Sequence, residues 1–564
     1  MAIIALTSLS NWLDDFLTSY YKHRPVNATF VGVHTYDDRL PDFSRESVAQ
    51  LQSEMESLLA RLRGAENSQK PNTSQQLDRL LAGNYLEIQL AELSSHHFHL
   101  GNPALYTGEA IFGVISLFLR DFAPLADRVK SAISRLKAIP GLLEQGMTNV
   151  RSTPKEWTQK AIQECTGAMH FLGNGIELLM QSLNVNSPPL RAAAQSALAE
   201  VQEYRDYLSS ELLSHASSDY ACDKQFYDML IRKGHCLEMN GEQVAEYGMD
   251  RLRERQEQLQ REASTFRRDG DWRKILASLE DSHPSQEGYL QSFHTLWQEC
   301  VRIATEHSLL TWPNCPLRYT FVPTYFREAA PFLYFLPYRS PAAFDPVSTY
   351  DYLVTPIEAS MPSNEQERRL RTMNYSVIKL NHVVHHGSIG HHLQNYHAYR
   401  SASRIGQIAA VDCASRIAMF CGGTMAEGWA CYSTDIIRDL GFYTELEQFA
   451  QLHSQLRQTA RAIADPNLHV GKFTFDEAVQ FYTTHVGMSV EAARSEVTKN
   501  SMFPATAAMY LLGTDCIHKL REEFAKKDSS FSMSKFHDRF LKYGSVPVSL
   551  IASDMLGTRF SLID

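Results

Sequence analysis

The chain has 564 residues, 44% hydrophobic and 21% charged, which is enough for a substantial core and ordinary for a globular protein. Its formal net charge of -10, with no strongly basic face, argues against a nucleic-acid partner. No apolar run reaches the roughly 18 residues of a membrane span, and nine scattered cysteines without a C-x-x-C pair point to reduced thiols in the cytoplasm.

The opening MAIIALTSLSNWLDD has too short an apolar run and no basic n-region for a signal peptide. A helical stripe follows in Trp12, Leu13, Phe16, Leu17, Tyr20 and Tyr21 behind a Ser10 cap. A second runs through Val48, Leu51, Met55, Leu58, Leu59 and Leu62 behind Ser44. Further helices are expected at about 74–94, 124–138, 155–182, 190–213, 224–233 and 241–268, punctuated by Pro25, Pro41, Pro140 and Ser187-Pro188-Pro189. Between 310 and 356 prolines cluster among aromatic and β-branched runs such as RYTFVPTYF and FLYFLPYR, the pattern of short strands and loops at the rim of a cleft. Helices then resume at 364–384, 424–439, 445–464, 474–484, 488–498, 505–525 and 533–542. The expected class is mostly α, with an N-terminal helical region over 1–310 and a second over 311–564, forming one continuous cleft-bearing unit.

The stretch HVVHHGSIGHHLQNYH holds six of the chain's 22 histidines: His382, His385, His386, His391, His392 and His397. Histidine is the commonest metal ligand, so this density calls for a chemical account. On an ideal helix His385 and His392 are nearly eclipsed, whereas His391 is rotated by about 120°. Gly387 and Gly390 can break the helix and bring His391 round, so spacing leaves His391 and His392 both open. The standard H-E-x-x-H pattern is absent. Glu427 follows in an apolar helix over 425–437; a Glu in that setting needs a partner, either a divalent metal or an arginine such as Arg416 or Arg438.

Taken together, these stretches resemble the bacterial "domain of unknown function" family numbered 885, a group linked to zinc peptidases. The family's centre reads H-E-x-x-P-G-H-H-x-Q, and His385 to Gln394 reads HHGSIGHHLQ in the same register. Its E-G-W-A-x-Y matches Glu427 to Tyr432, and its R-x-x-x-D-x-x-x-H matches Arg461, Asp465 and His469. Weaker likeness extends through PVNATFVGVHTYDDRLPD, RLKAIPGLLEQGMTNV and FHDRFLKYGSVPVSLI, so it spans nearly the whole chain. The resemblance implies a gluzincin-like helical fold around a central cleft, with His385, His391 and Glu427 as ligands of zinc. The chain departs from the pattern in telling places. His386 replaces the family's catalytic Glu, and Ile389 replaces its Pro. Thr506 and Leu511 stand for Gln and Lys in P-G-Q-A-x-x-Y-K-x-G, where Tyr510 is kept.

The expectation is therefore a metal-dependent enzyme acting on a small molecule or short peptide by altered, non-peptidase chemistry. Peptide hydrolysis and an inactive binding relative are the alternatives. His386 is the candidate general base, because a neutral imidazole accepts a proton. It is otherwise a fourth ligand in a three-His, one-carboxylate set suited to iron or manganese as well as zinc, although successive helical side chains diverge by about 100°, or a bystander in an inactive site. His469 and Tyr510 are candidates for polarising substrate, and Arg461 for holding a substrate carboxylate or pairing with Asp465.

Overall fold

Helices make up 70% of the structure and strand only 2%, as the stripes demand. The computed structural model describes residues 11–64, 73–333, 342–345, 349–409 and 421–563. The first stripe buries Trp12, Phe16, Leu17, Tyr20 and Tyr21 on the Trp12–His23 helix, while its expected cap Ser10 lies outside the described residues. Ser44 caps the Arg45–Gly64 helix, its Oγ accepting the Ser47 N–H at 3.3 Å.

Two prolines lie within helices instead of ending them: Pro140 in Leu125–Asn149 and Pro466 in Glu445–His469. A mid-helix proline costs about 3 kcal/mol. Beyond Pro140 the same face buries Leu142 and Leu143, each worth about 1.5–3 kcal/mol, so burial carries the helix past it. The Pro103–Ile115 helix buries every residue and so has no polar face to set a period. The Tyr289–Glu306 helix, also unplaced above, does carry a stripe through Tyr289, Phe293, Leu296, Cys300 and Ile303. The expected 364–384 helix is two, Ser363–Thr372 and then a turn at Tyr375–Val377 running into a π-helix at Ile378–Gly387. Asn374 starts the second, its side chain accepting the Val377 N–H at 3.1 Å.

The proline-rich region forms strands β1 (Leu317–Phe321) and β2 (Tyr350–Val354), paired in parallel with Leu317 opposite Tyr350. The FLYFLPYR run lies, from residue 334 on, outside the described residues. Arg318 forks onto Asp351 on the outer face at 2.7 and 3.0 Å. On the inner face the Tyr319 and Tyr352 rings meet at 4.9 Å. The Tyr319 hydroxyl donates to the His382 carbonyl at 3.0 Å, and the Tyr352 hydroxyl lies 2.7 Å from His382 Nδ1. The small sheet is thus pinned to the histidine-rich segment.

One buried cluster runs from Trp12 to Leu562, so the residues on both sides of 310 share a core. Smaller clusters line the Glu445–His469 helix, which packs along Gly241–Phe266. Among the described residues no helix is long and apolar enough to cross a membrane. The Gly423–Ile436 and Met509–Lys527 helices cross at direct backbone contact. A Cβ on Gly513 would stand 2.1 Å from the Thr424 carbonyl oxygen, and one on Gly428 would stand 2.5 Å from the Gly513 carbonyl carbon.

That crossing has no room for a methyl group, so Gly428→Ala is expected to lower stability by roughly 1–3 kcal/mol in urea titrations. Gly141→Ala, at a helical site with nothing within 4 Å of the added carbon, should instead raise it by about 0.5–1 kcal/mol. Equal effects of the two substitutions would refute the close crossing.

Candidate functional site

The π-helix ends at Ser388 (φ -129°, ψ -105°), and after Gly390 (φ -71°, ψ -123°) the chain restarts as the His391–Ala398 helix. Four hydrogen bonds hold this break. Ser388 Oγ donates to the Val383 carbonyl at 2.8 Å, Trp297 Nε1 to Gly387 at 2.6 Å and Trp429 Nε1 to Ile389 at 2.8 Å. The Gly390 N–H reaches Val384 at 3.0 Å. A Cβ on Gly390 would lie 2.0 Å from the His385 carbonyl oxygen, so only glycine lets the chain fold back so tightly. The break brings the His391 ring to 4.8 Å from the His385 ring. It sends His392 the other way, into the core, where Nε2 donates to the Cys315 carbonyl at 2.7 Å. Of the two histidines that spacing left open, His391 joins the cluster and His392 braces the sheet.

Glu427 projects from the Gly423–Ile436 helix toward this pair. Its Oε2 lies 3.3 Å from His385 Nε2 and 3.4 Å from His391 Nε2, yet is buried without a hydrogen-bond partner. Burial pushes the carboxyl up, but the His391 and His385 imidazoles outweigh it and hold it well below the usual range. Burial lowers the His385 imidazole, with Glu427 opposing. The alternative partner Arg438 pairs with Glu262 at 3.3 Å, and Arg416 lies outside the described residues. Donors bound tetrahedrally at about 2.0–2.1 Å stand roughly 3.3–3.4 Å apart. The two measured separations have that spacing, so the donor set fits a small divalent ion.

His386 completes the cluster, 4.8 Å from the His385 ring and 5.3 Å from that of His391. Its Nδ1 donates to the Asn381 carbonyl at 2.8 Å, which places the proton there and leaves Nε2 as the nitrogen with a lone pair. Burial above all, then the neighbouring histidines, pushes its pKa well below the ordinary value. The three donor atoms of His385, His386 and His391 lie within 4.8 Å of one another. The wider π turn narrows the divergence of successive side chains that an α-helix would impose, so His386 has access to the same point as His385.

The remaining candidates form the wall beside the cluster. Arg461 pairs with Glu496 and not with Asp465, forking at 2.6 and 3.0 Å while its guanidinium lies 4.4 Å over the Tyr510 ring. The expected pairing with Asp465 is thus replaced by one with Glu496, to which the Nε and Nη2 groups of Arg461 are committed. Asp465 is fully buried and accepts the backbone N–H groups of Ala505 at 3.2 Å and Ala508 at 3.0 Å, fixing the turn before Tyr510. His469 is also fully buried; Nε2 donates to the Asn500 carbonyl at 2.9 Å, and its ring packs against Tyr227 and His97. It props the wall and has no surface for substrate.

Tyr510 is partly exposed and lies close enough to Glu427 for that charge to help burial raise its phenol well above the ordinary value. Arg461 is likewise felt at His385. A small pocket lies between Arg461, Glu496, Lys499, Asn500, Thr506 and Tyr510. Leu511 is fully buried and faces away from solvent. Sequence reading did not single out Glu496 or Arg457. The available signal for Arg457 was its i,i+4 spacing from Arg461 on one helix.

Burial raises the Glu496 carboxyl, but the charge and hydrogen bonds of Arg461 hold it down to about 2. A depressed carboxylate stabilises the fold fully above its unfolded value of about 4.3, and this contribution is lost as pH falls through about 2. Glu496→Gln should therefore cost roughly 3 kcal/mol at neutral pH, and the gap to wild type should close with acidification in urea titrations. A gap independent of pH would refute the assignment.

The whole chain has solved counterparts. A "putative lipoprotein of unknown function" from Shewanella oneidensis superposes with a TM-score of 0.77 at 19% identity, over 98% of this chain and 100% of that one. A "putative lipoprotein" from Colwellia psychrerythraea does so at 0.76 and 17%, over 97% and 98%. At such identity the likeness shows the fold alone. No curated protein matches the sequence. The family model described as "Bacterial protein of unknown function (DUF885)" matches residues 25–555, and the chain belongs to that family.

Proposed function

We propose that this protein is a metal-dependent enzyme whose ion is held by His385, His391 and Glu427, with zinc as the expected metal. The supporting observation is Glu427 Oε2: buried, without a hydrogen bond, and 3.3 and 3.4 Å from two imidazole nitrogens. A carboxylate left so inside a protein is costly unless a cation faces it. A divalent ion there supplies Lewis-acid polarisation of a substrate oxygen. The chain's own groups do the rest. His386 accepts a proton at Nε2, its tautomer set by the Asn381 carbonyl. Tyr510 offers its hydroxyl to an oxygen that gains negative charge, with Arg461 beneath its ring holding it in place.

His386 brings no negative charge where the family's resemblance places a Glu, so the reading favours a small-molecule reaction over peptide hydrolysis. Amide hydrolysis of a short peptide is the alternative. A second reading has His386 as a further ligand, giving a three-His, one-carboxylate set suited to iron or manganese. It is supported by the clustering of all three histidine donor atoms within 4.8 Å. The described cysteines are all free thiols, in keeping with a cytoplasmic protein.

Elemental analysis after metal-supplemented expression should find about one divalent ion per chain, and Glu427→Ala should lose it. A metal-free wild type, or a Glu427→Ala protein that keeps its ion, would overturn the site. His386→Ala should keep the metal while lowering turnover about 100- to 10,000-fold on a substrate found by screening. Loss of metal from this variant would select the second reading, and unchanged turnover would remove His386 from the chemistry.

A further inference from the structure

Three consecutive carbonyls in the π-helix each accept a hydrogen bond from a side chain. Asn381 takes it from His386 Nδ1 at 2.8 Å, His382 from the Tyr319 hydroxyl at 3.0 Å and Val383 from Ser388 Oγ at 2.8 Å. His386 and Ser388 belong to the same stretch of chain and move with it. Tyr319 does not: it stands on β1, 63 residues earlier, and is the one of the three donors that comes from another element.

The Tyr319 hydroxyl does more than donate. A Cβ on Gly387 would lie 2.1 Å from that oxygen and 2.7 Å from the His382 carbonyl oxygen. The phenol therefore fills the place of a side chain at Gly387 while it holds residue 382. Those two residues are five apart, the interval that i→i+5 bonding closes and that an α-turn leaves one residue out of step. π-turns are rare and occur mostly as single turns, whereas this segment runs for ten residues. Its support is itself firmly held. Tyr319 is buried, its ring packs at 5.3 Å from Phe293 and 4.9 Å from Tyr352, and its carbonyl accepts from His294 Nε2 at 3.0 Å.

The wide turn determines where His386 points. The donor atoms of His385, His386 and His391 gather within 4.8 Å of one another. In an α-turn successive side chains diverge by about 100°, which would carry His386 away from His385 while leaving the pairing of His385 and His391 with Glu427 in place.

We propose that Tyr319 is a positioning residue: its hydroxyl, wedged between the His382 carbonyl and Gly387, holds the π-turn that aims His386 Nε2 at the cluster of His385, His391 and Glu427. What His386 does there rests on the metal-enzyme reading; the wedge, and the direction it gives His386, do not. Tyr352 carries the neighbouring hydroxyl on the same sheet, but it meets the His382 side chain at Nδ1 and not the carbonyl. It is the built-in control.

Nitrogen-15 NMR of histidine-labelled protein, with and without zinc, reads the wedge through the His386 Nδ1–H, which His386→Ala identifies by the loss of its resonance. In the wild type the Asn381 carbonyl should protect this proton from exchange with solvent. Tyr319→Phe should speed its exchange about 10-fold or more. Gly387→Ala, which displaces the hydroxyl without removing it, should do the same. Tyr352→Phe should leave the resonance as in the wild type. A purely structural role for Tyr319 would lower Tm and leave the exchange of this proton unchanged. On a substrate found by screening, Tyr319→Phe should lower kcat with little change in KM, and should cost nothing further in a His386→Ala background. The proposal is overturned by an unprotected His386 Nδ1–H in the wild type, by unchanged exchange in either wedge variant that folds, or by loss of the fold in both. An equal effect of Tyr352→Phe, or a further loss of kcat in the double variant, would overturn it as well. A wild type that binds no zinc yet shows the Tyr319-dependent signal would sink the metal-enzyme reading and leave the wedge standing.

Discussion

A carboxylate inside a protein must be met by hydrogen bonds or by positive charge, and Glu427 has no hydrogen bond at Oε2. Much of the molecule around it serves that one requirement. The helix that carries it is buried along nearly all its other residues, including Trp429 and Tyr432. Those two side chains are tied on either side: Trp429 to the Ile389 carbonyl, and Tyr432 by its hydroxyl to His537 at 2.9 Å. His537 is itself held to the Leu309 carbonyl at 2.6 Å. The helix is thereby fixed in place, with Glu427 Oε2 opposite the two imidazoles.

Two places where backbones come into contact make this geometry possible. At Gly390 the chain folds back on His385 closely enough to exclude any side chain, which turns His391 into the cluster. At Gly428 and Gly513 two helices touch, which brings Tyr510 to the same cleft as Glu427. The sheet adds a third restraint through Tyr319 and Tyr352 on His382. These restraints come from segments far apart in the chain, so the cluster forms only when the continuous core has assembled.

His386 stands beside His385 and His391 as an imidazole, where a carboxylate would add negative charge. The site already contains several histidines, with Arg461 beside them. Glu427 and Glu496 are the carboxylates facing those groups, and Glu496 is bound to Arg461.

The amino-acid sequence by itself determined the helical class, because apolar residues recur at the helical period along most of the chain. It also marked His382 to His397 and Glu427 as the centre of interest, because dense histidine and a lone acid in an apolar helix have few inert explanations. The Pro103–Ile115 helix escaped notice since a segment buried on every side has no stripe to read. Pro140 looked like a helix end because the cost of a proline is local and the burial that outweighs it is not. The resemblance to a family implied His391, but the residues' own spacing could not separate it from His392; the backbone path through Ser388 and Gly390 does. Tertiary structure alone decided that Arg461 belongs to Glu496, 35 residues away, and that His469 is sealed in the wall. Periodicity tells which face of a helix is buried, but not which side chains from distant segments that face will meet.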